Sequence, residues 1–316
     1  MIITDKHIVF GLKRGFPMAV KLDNGSIVVI ISEQGAELTS VKNKESGLEY
    51  MWEGDPAIWG RHAPNLFPIV GRLKGDRYKY RDKTYFMTQH GFARDNEFDL
   101  VEKTATTARF RLTDSEETRA IYPFRFQFDV LYRLTEQDTL GIVYIVTNID
   151  NHDIYFSVGG HPAFRVPLSI EGTEAENDNF NDYYINVDPR RVYQRAKLVG
   201  PHLDNNIEAH FDAHIPMRLR RDDFKEDAII LRLDENPTSI VLSKRTESHG
   251  VTMHLQDAKY VGIWTPYAKE APFVCIEPWW GVADTVDADG DIKHKYAINK
   301  LAPAQTFTGS YTLTFF

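Results

Sequence analysis

The feature that most constrains this chain is a strict period-two alternation of apolar and polar residues. Phe124, Phe126, Phe128, Val130, Tyr132 and Leu134 alternate with Arg125, Gln127, Asp129, Leu131 and Arg133. Successive side chains of a strand point to opposite faces, so only an extended chain gathers the first set on one side. The C-terminus repeats the pattern, with Phe307, Tyr311, Leu313 and Phe315 set against Thr306, Thr308, Ser310, Thr312 and Thr314. Leu140 to Ile149 is apolar on both faces and is predicted to lie between two layers. Shorter strands are predicted over Ser26–Ser32, Ala108–Thr113, Ile154–Val158, Ala228–Leu233, Ser239–Ser243, Val251–Leu255 and Tyr260–Trp264. Clusters such as Asp23-Asn24-Gly25, Glu235-Asn236-Pro237 and Ser248-His249-Gly250 mark the turns. Only Ser115–Ala120 and Arg221–Glu226 read as helical turns, which excludes a βαβ architecture. The pattern predicts an all-β chain of antiparallel sheets packed face to face.

No linker divides the 316 residues, so residues 1–316 read as a single domain. Net charge is -8, with the basic residues spread along the chain, which argues against nucleic acid as a partner. No segment approaches the ~18 apolar residues of a membrane helix, and Met1 to Val20 lacks the apolar core of a signal peptide. The expectation is a soluble, cytoplasmic protein. Its single cysteine, Cys275, permits no internal disulfide and sits in an apolar run, as a buried structural thiol would. Glu171 to Asp182 is acidic and reads as a surface loop.

Chemistry collects in four places. Phe273-Val274-Cys275-Ile276 reads as a strand buried on both faces, and it ends in Glu277, Pro278, Trp279 and Trp280. Of the two tryptophans, one is expected in the core and one at a ligand surface. The other stretches are Asn65-Leu66-Phe67-Pro68-Ile69-Val70-Gly71-Arg72, Gln89-His90-Gly91-Phe92-Ala93-Arg94 and Gly159-Gly160-His161-Pro162-Ala163-Phe164. Each sets polar side chains beside glycine or proline in apolar surroundings, as functional loops on a rigid sheet do. His90, His161 and Glu277 leave a two-histidine, one-carboxylate metal set open, although no HExxH or C-x-x-C spacing supports it. Walker, dinucleotide and G-x-S-x-G patterns are absent. The expectation is therefore no metal and no cofactor.

In this order, the motifs N-L-F-P-I-V-G-R, Q-H-G-F-A-R, G-G-H-P-A-F and I-E-P-W-W-G resemble the aldose 1-epimerase (galactose mutarotase-like) family, nearest its LacX-type branch. The resemblance implies a twisted antiparallel β-supersandwich with a sugar cleft across one sheet. It implies cofactor-free interconversion of the α and β anomers of an aldose. On its motifs, Glu277 would be the general base, His161 the general acid and His90 the group that orients the ring. Arg72 would bind sugar hydroxyls, as would Asp227, the best match to an aspartate opening a late strand. Asn65, Arg94 and Trp279 complete the substrate-binding set. Better-known galactose mutarotases frame the acid histidine as T-x-H-x-Y-F-N; G-G-H-P-A-F departs from that and bears on which sugar is used.

Such chemistry needs one base at the C1 hydroxyl and one acid at the ring oxygen. An ordinary carboxylate and imidazole would give a bell-shaped pH profile, with Glu277 protonating at low pH and His161 losing its proton at high pH. A neutral sugar fits the acidic chain, while Arg61, Arg72, Lys74 and Arg94 leave a hexose 6-phosphate as the alternative. A non-catalytic carbohydrate-binding protein, and a glycosidase using Asp227 and Glu277, are the other readings the residues allow.

Overall fold

Odd and even residues of one central strand, Phe273–Trp280, go to two different environments. Val274, Ile276 and Trp280 enter the main core, whereas Phe273 and Cys275 pack with Trp52, Ala163 and Ala271 on the other side. Trp279 joins a third cluster with Leu66, Val70 and Ile230. In the computed structural model, which describes residues 19–136, 138–168, 170, 178–245 and 249–316, this strand is buried on both faces as expected. The strand runs on through Pro278, longer than its apolar run alone.

The architecture is a twisted antiparallel β-supersandwich. One sheet has nine strands and the other eight, and an N-terminal three-stranded sheet (Ala19–Asp23, Ile27–Ser32, Glu37–Asn43) adjoins them. In the nine-stranded sheet Phe126–Leu134 pairs with Thr139–Asn148, which pairs with Thr306–Phe315. The predicted apolar set Phe126, Phe128, Val130, Tyr132 and Leu134 is buried. Thr139–Asn148 differs from expectation. Its even residues are buried, but Gly141, Val143, Ile145 and Thr147 are only half covered, so one face is closed and the other partly open.

The sole α-helix among the described residues, Glu116–Ile121, is capped by Ser115, whose side chain accepts from the Thr118 N–H. Arg221–Phe224 is a 3-10 turn. Ile154–Val158 splits into Ile154–Phe156 and Val158–Gly160, which belong to different sheets. Residues 171–177 of the acidic loop, residues 1–18 and Ser248 lie outside the described residues.

Asn65 joins the two layers. It sits on the edge strand Asn65–Leu66 of the eight-stranded sheet and is 1% exposed. Its amide donates to Gly35 O (2.9 Å) and Ala36 O (2.8 Å) and accepts from the Tyr144 hydroxyl (2.9 Å), a residue of the nine-stranded sheet. All its hydrogen-bonding capacity is spent within the protein, and it does not line the cleft described below. Asn65 is thus corrected from a substrate ligand to a tie between sheets. Asn65→Ala strands the Gly35 carbonyl and the Tyr144 hydroxyl, and a urea melt should show a loss of about 1–3 kcal/mol.

Candidate active site

Two short strands, Val158–Gly160 and Ala163–Arg165, flank His161 and both pair antiparallel with Phe273–Trp280. Val158 faces Trp280 and Ala163 faces Cys275. Carried across the gap, that register sets His161 opposite Glu277. Pro162 and Pro278 lie in the gap, where neither can donate to a ladder, yet the Ile276 N–H still reaches Pro162 O at 3.2 Å. The result is a cross-strand pair, with His161 Nε2 3.1 Å from Glu277 Oε2. The two residues are 7% and 2% exposed.

Burial dominates the electrostatics of this pair. It raises the Glu277 carboxyl well above its ordinary value of 4.5, and the nearby Asp227 carboxylate adds to the rise. The Trp279 indole N–H lies near enough to oppose this, although it closes no hydrogen bond of normal geometry. Burial lowers His161 to about 3, helped by the cationic Arg94 and Arg61 and opposed by a backbone acceptor. The two shifts put the carboxyl above the imidazole in proton affinity, so a single proton between these facing atoms, 3.1 Å apart, rests on the carboxyl.

His90 meets His161 edge to face, with ring centroids 5.6 Å apart. The clasp of two predicted motifs places it. Phe67 O accepts from the Phe92 and Ala93 N–H groups, and the His90 N–H donates to Gly71 O at 2.9 Å. His90 and Gly91 both adopt left-handed backbone, and a Cβ on Gly91 would lie 2.3 Å from Phe67 O, so only glycine fits there. His90 Nδ1 accepts from the Gly71 N–H at 3.1 Å. In the neutral ring that fixes the other proton on Nε2. Burial, then His161, Arg94 and Arg61, lower the His90 pKa well below 6.5, so it is a neutral donor.

These groups share a cleft of about 660 Å³ with Arg72, Arg94, Asp227, Trp279, Trp59 and Trp264. Trp279 lies against Gly262, which pairs with Glu277; a Cβ there would be 2.7 Å from the indole. Trp280, one residue on, turns inward and donates to Asp257 at 3.1 Å. Trp279 thus faces the cleft and Trp280 the core. Arg72 sits on the rim and grips Asp76 through two bonds of 2.7 and 2.8 Å. Arg94 braces the His90 loop by donating to Gln89 O at 2.7 Å. Asp227 precedes the strand Ile229–Arg232 with left-handed backbone and accepts from the Ala228 N–H. His161 Nδ1, Trp279 Nε1 and Arg94 Nε, on three residues that line the cleft, are buried without a hydrogen-bond partner in the protein.

Two aromatic walls escaped the sequence reading. Trp59 lies 5.0 Å from the His161 ring at 30°, and Trp264 meets the same ring edge-on at 5.6 Å. Trp264 carried a signal, because it is two residues from Gly262 on the face that bears Glu277. Trp59 carried none: its loop is pinned by side chains outside it, with Trp52 Nε1 donating to the Trp59 carbonyl and the sequence-distant Lys269 Nζ to that of Ile58.

The metal set drawn from sequence changes membership. His161, Cys275 and Glu277 place one donor atom each within 4.8 Å of one another, with Cys275 in place of His90. Burial, with Glu277 adding, raises the Cys275 thiol well above its ordinary value. Binding a metal there would have to displace protons that burial favours on both the thiol and the carboxyl.

Comparison with known proteins bears on the family and the fold. The family model for aldose 1-epimerase matches residues 18–298. Protein LacX (chromosomal) of Lactococcus lactis subsp. lactis is 30% identical over 313 residues, covering 94% of this chain and 99% of its own. The crystal structure of a galactose mutarotase related enzyme from Lactobacillus acidophilus superposes with a TM-score of 0.90 at 41% identity, over 95% of this chain and 97% of that one. A galactose mutarotase-like protein from Lactobacillus casei gives 0.85 at 31%, over 95% and 100%.

Proposed function

The chain belongs to the aldose 1-epimerase family, and on that premise we propose that it interconverts the α and β anomers of a free hexose by acid–base ring opening and closure. The observation that carries this reading is the buried His161–Glu277 contact at 3.1 Å on the floor of an aromatic cleft. Anomer exchange moves one proton off the C1 hydroxyl and another onto the ring oxygen, and a pair sharing one proton does both.

The steps balance within the pair. Moving its proton from Glu277 to His161 gives a carboxylate and an imidazolium. The carboxylate takes the proton of the C1 hydroxyl while the imidazolium protonates the ring oxygen, and the C1–O5 bond breaks. The open-chain aldehyde then stands beside a protonated Glu277 and a neutral His161, which is the state that burial favours. Rotation about C1–C2 and the reverse transfers close the ring on the other face. The His90 Nε2–H donates to a sugar oxygen and holds the ring in place. Arg72 and Asp227 take the outer hydroxyls, Arg94 braces the His90 loop and Trp279 supplies a flat wall.

A free sugar suits the cleft better than a phosphorylated one. Arg61 and Arg72 are paired to Asp95 and Asp76, and Lys74 Nζ donates to Val286 O, so three cations of the proposed phosphate cluster are committed. Catalytic efficiency on a panel of fresh α-anomers should be higher for a free hexose than for its 6-phosphate. The opposite order would replace this assignment with the phosphosugar one.

Glu277→Gln retains shape and removes the base, and NMR exchange spectroscopy should register a loss on the order of 10²-fold or more in turnover with the fold intact. Wild-type exchange by this variant would remove the proposal and leave a sugar-binding protein.

The pH profile differs from the one expected of ordinary groups. The working form holds one proton on the pair. Acid abolishes it only when His161 gains a second proton, and His161 titrates at about 3 rather than 6.5. Base abolishes it only when the raised Glu277 carboxyl ionises, well above 4.5. The two limbs thus swap owners relative to the sequence expectation. Turnover should therefore hold as the pH falls through the ordinary histidine range to about 5, and a loss on acidification across that range would count against the shared-proton pair.

A further inference from the structure

Behind the cleft wall lies a buried ion pair that does not itself line the cleft. Lys295 Nζ is 3.3 Å from Asp284 Oδ1 and donates to Val282 O at 2.5 Å. Asp284 and Lys295 are 3% and 6% exposed. Desolvating two charges costs about as much as their attraction returns, so such a pair adds little to stability over an apolar replacement. What it adds here is direction. Asp284 Oδ2 accepts from the Lys74 N–H at 2.9 Å, and the Asp284 N–H donates to Arg72 O at 3.0 Å. Those contacts hold the segment that begins at Gly71. Gly71 in turn donates to His90 Nδ1 and accepts from the His90 N–H.

We infer that Asp284, held by Lys295, is a positioning residue for His90: it fixes the Gly71–Lys74 turn, and that turn sets the tautomer and aim of the His90 ring. Every link in the chain is a hydrogen bond or ion pair, and Asp284, Lys295 and His90 at its ends are buried. Neither Asp284 nor Lys295 lines the sugar cleft, so an effect on turnover passes through the segments they hold, Gly71–Lys74 and Val282–Ala283, and the His90 tautomer reports on the first. Val282 and Ala283, on the same segment, do line it, which places the pair directly behind the wall. The inference rests on His90 acting in the proposed reaction, but its primary readout does not.

The test compares Asp284→Asn with Asp284→Ala. Asparagine keeps an oxygen acceptor for the Lys74 N–H, whereas alanine removes it. Nitrogen-15 NMR of the His90 ring in wild-type protein should show a single neutral tautomer protonated at Nε2. Asp284→Ala should show mixed tautomers and a fall of roughly ten- to a hundredfold in kcat/KM, and Asp284→Asn should recover most of both. A His90 signature and kcat/KM unchanged in folded Asp284→Ala would overturn the inference, as would equal losses in the two variants. Should Asp284→Ala not fold, Lys295→Met is read in the same way against Lys295→Arg. If the protein proves to have no epimerase activity, the tautomer readout still decides the positioning role, so the two failures are distinguishable.

Discussion

Everything at the site depends on one antiparallel register, the one that sets His161 against Glu277. Two prolines interrupt the ladder there, and the interruption frees the side chains on that face from sheet neighbours. A shift by a single residue would turn Glu277 into the core and Trp280 into the cleft. The register is held on the inner side by Val274, Ile276 and Trp280 in the core and on the outer side by Phe273 and Cys275 packing. The carboxyl and imidazole are thus placed by hydrophobic burial. The same burial gives them their proton affinities, so one cause supplies both geometry and chemistry.

The loops contribute differently. His90 is held by hydrogen bonds between two motifs apart in sequence, and its ring meets that of His161 edge to face. Arg94 and Arg61 place positive charge nearby, which disfavours protonation of both rings. Arg61 and Arg72 are paired to carboxylates of their own. The cleft consequently presents uncharged donors and flat aromatic surfaces at its floor and keeps its fixed charges at the edge, an arrangement suited to a neutral, hydroxyl-rich molecule.

Much of this was legible in sequence because period two is a local signal. The long strands were readable from their own residues, as were the glycines and prolines around His90, His161 and Glu277. Tertiary facts were not. The half-open outer face of Thr139–Asn148 depends on what covers it, which its composition does not record. Asn65 sits in a motif that otherwise builds the site, yet its amide turns toward Tyr144 on the other sheet. Trp59 becomes a wall of the cleft only through contacts made by Trp52 and Lys269. Proton affinities were missed for the same reason: an isolated carboxylate and imidazole have ordinary values, and only mutual burial inverts their order.

The adjacent Trp279 and Trp280 have a consequence for how such a protein can change. One peptide unit separates the aromatic floor of the cleft from a ring locked into the inter-sheet core against Gly309. A substitution deep in the sandwich that rotates Trp280 also tilts Trp279, so the floor inherits the rigidity of the whole fold. The rim carries no such load, because Arg72 and Lys225 stand on exposed turns. Divergence among related chains has room there. A lineage could therefore exchange one sugar for another by rewriting the rim while the floor, and the proton economy above it, stays as it was.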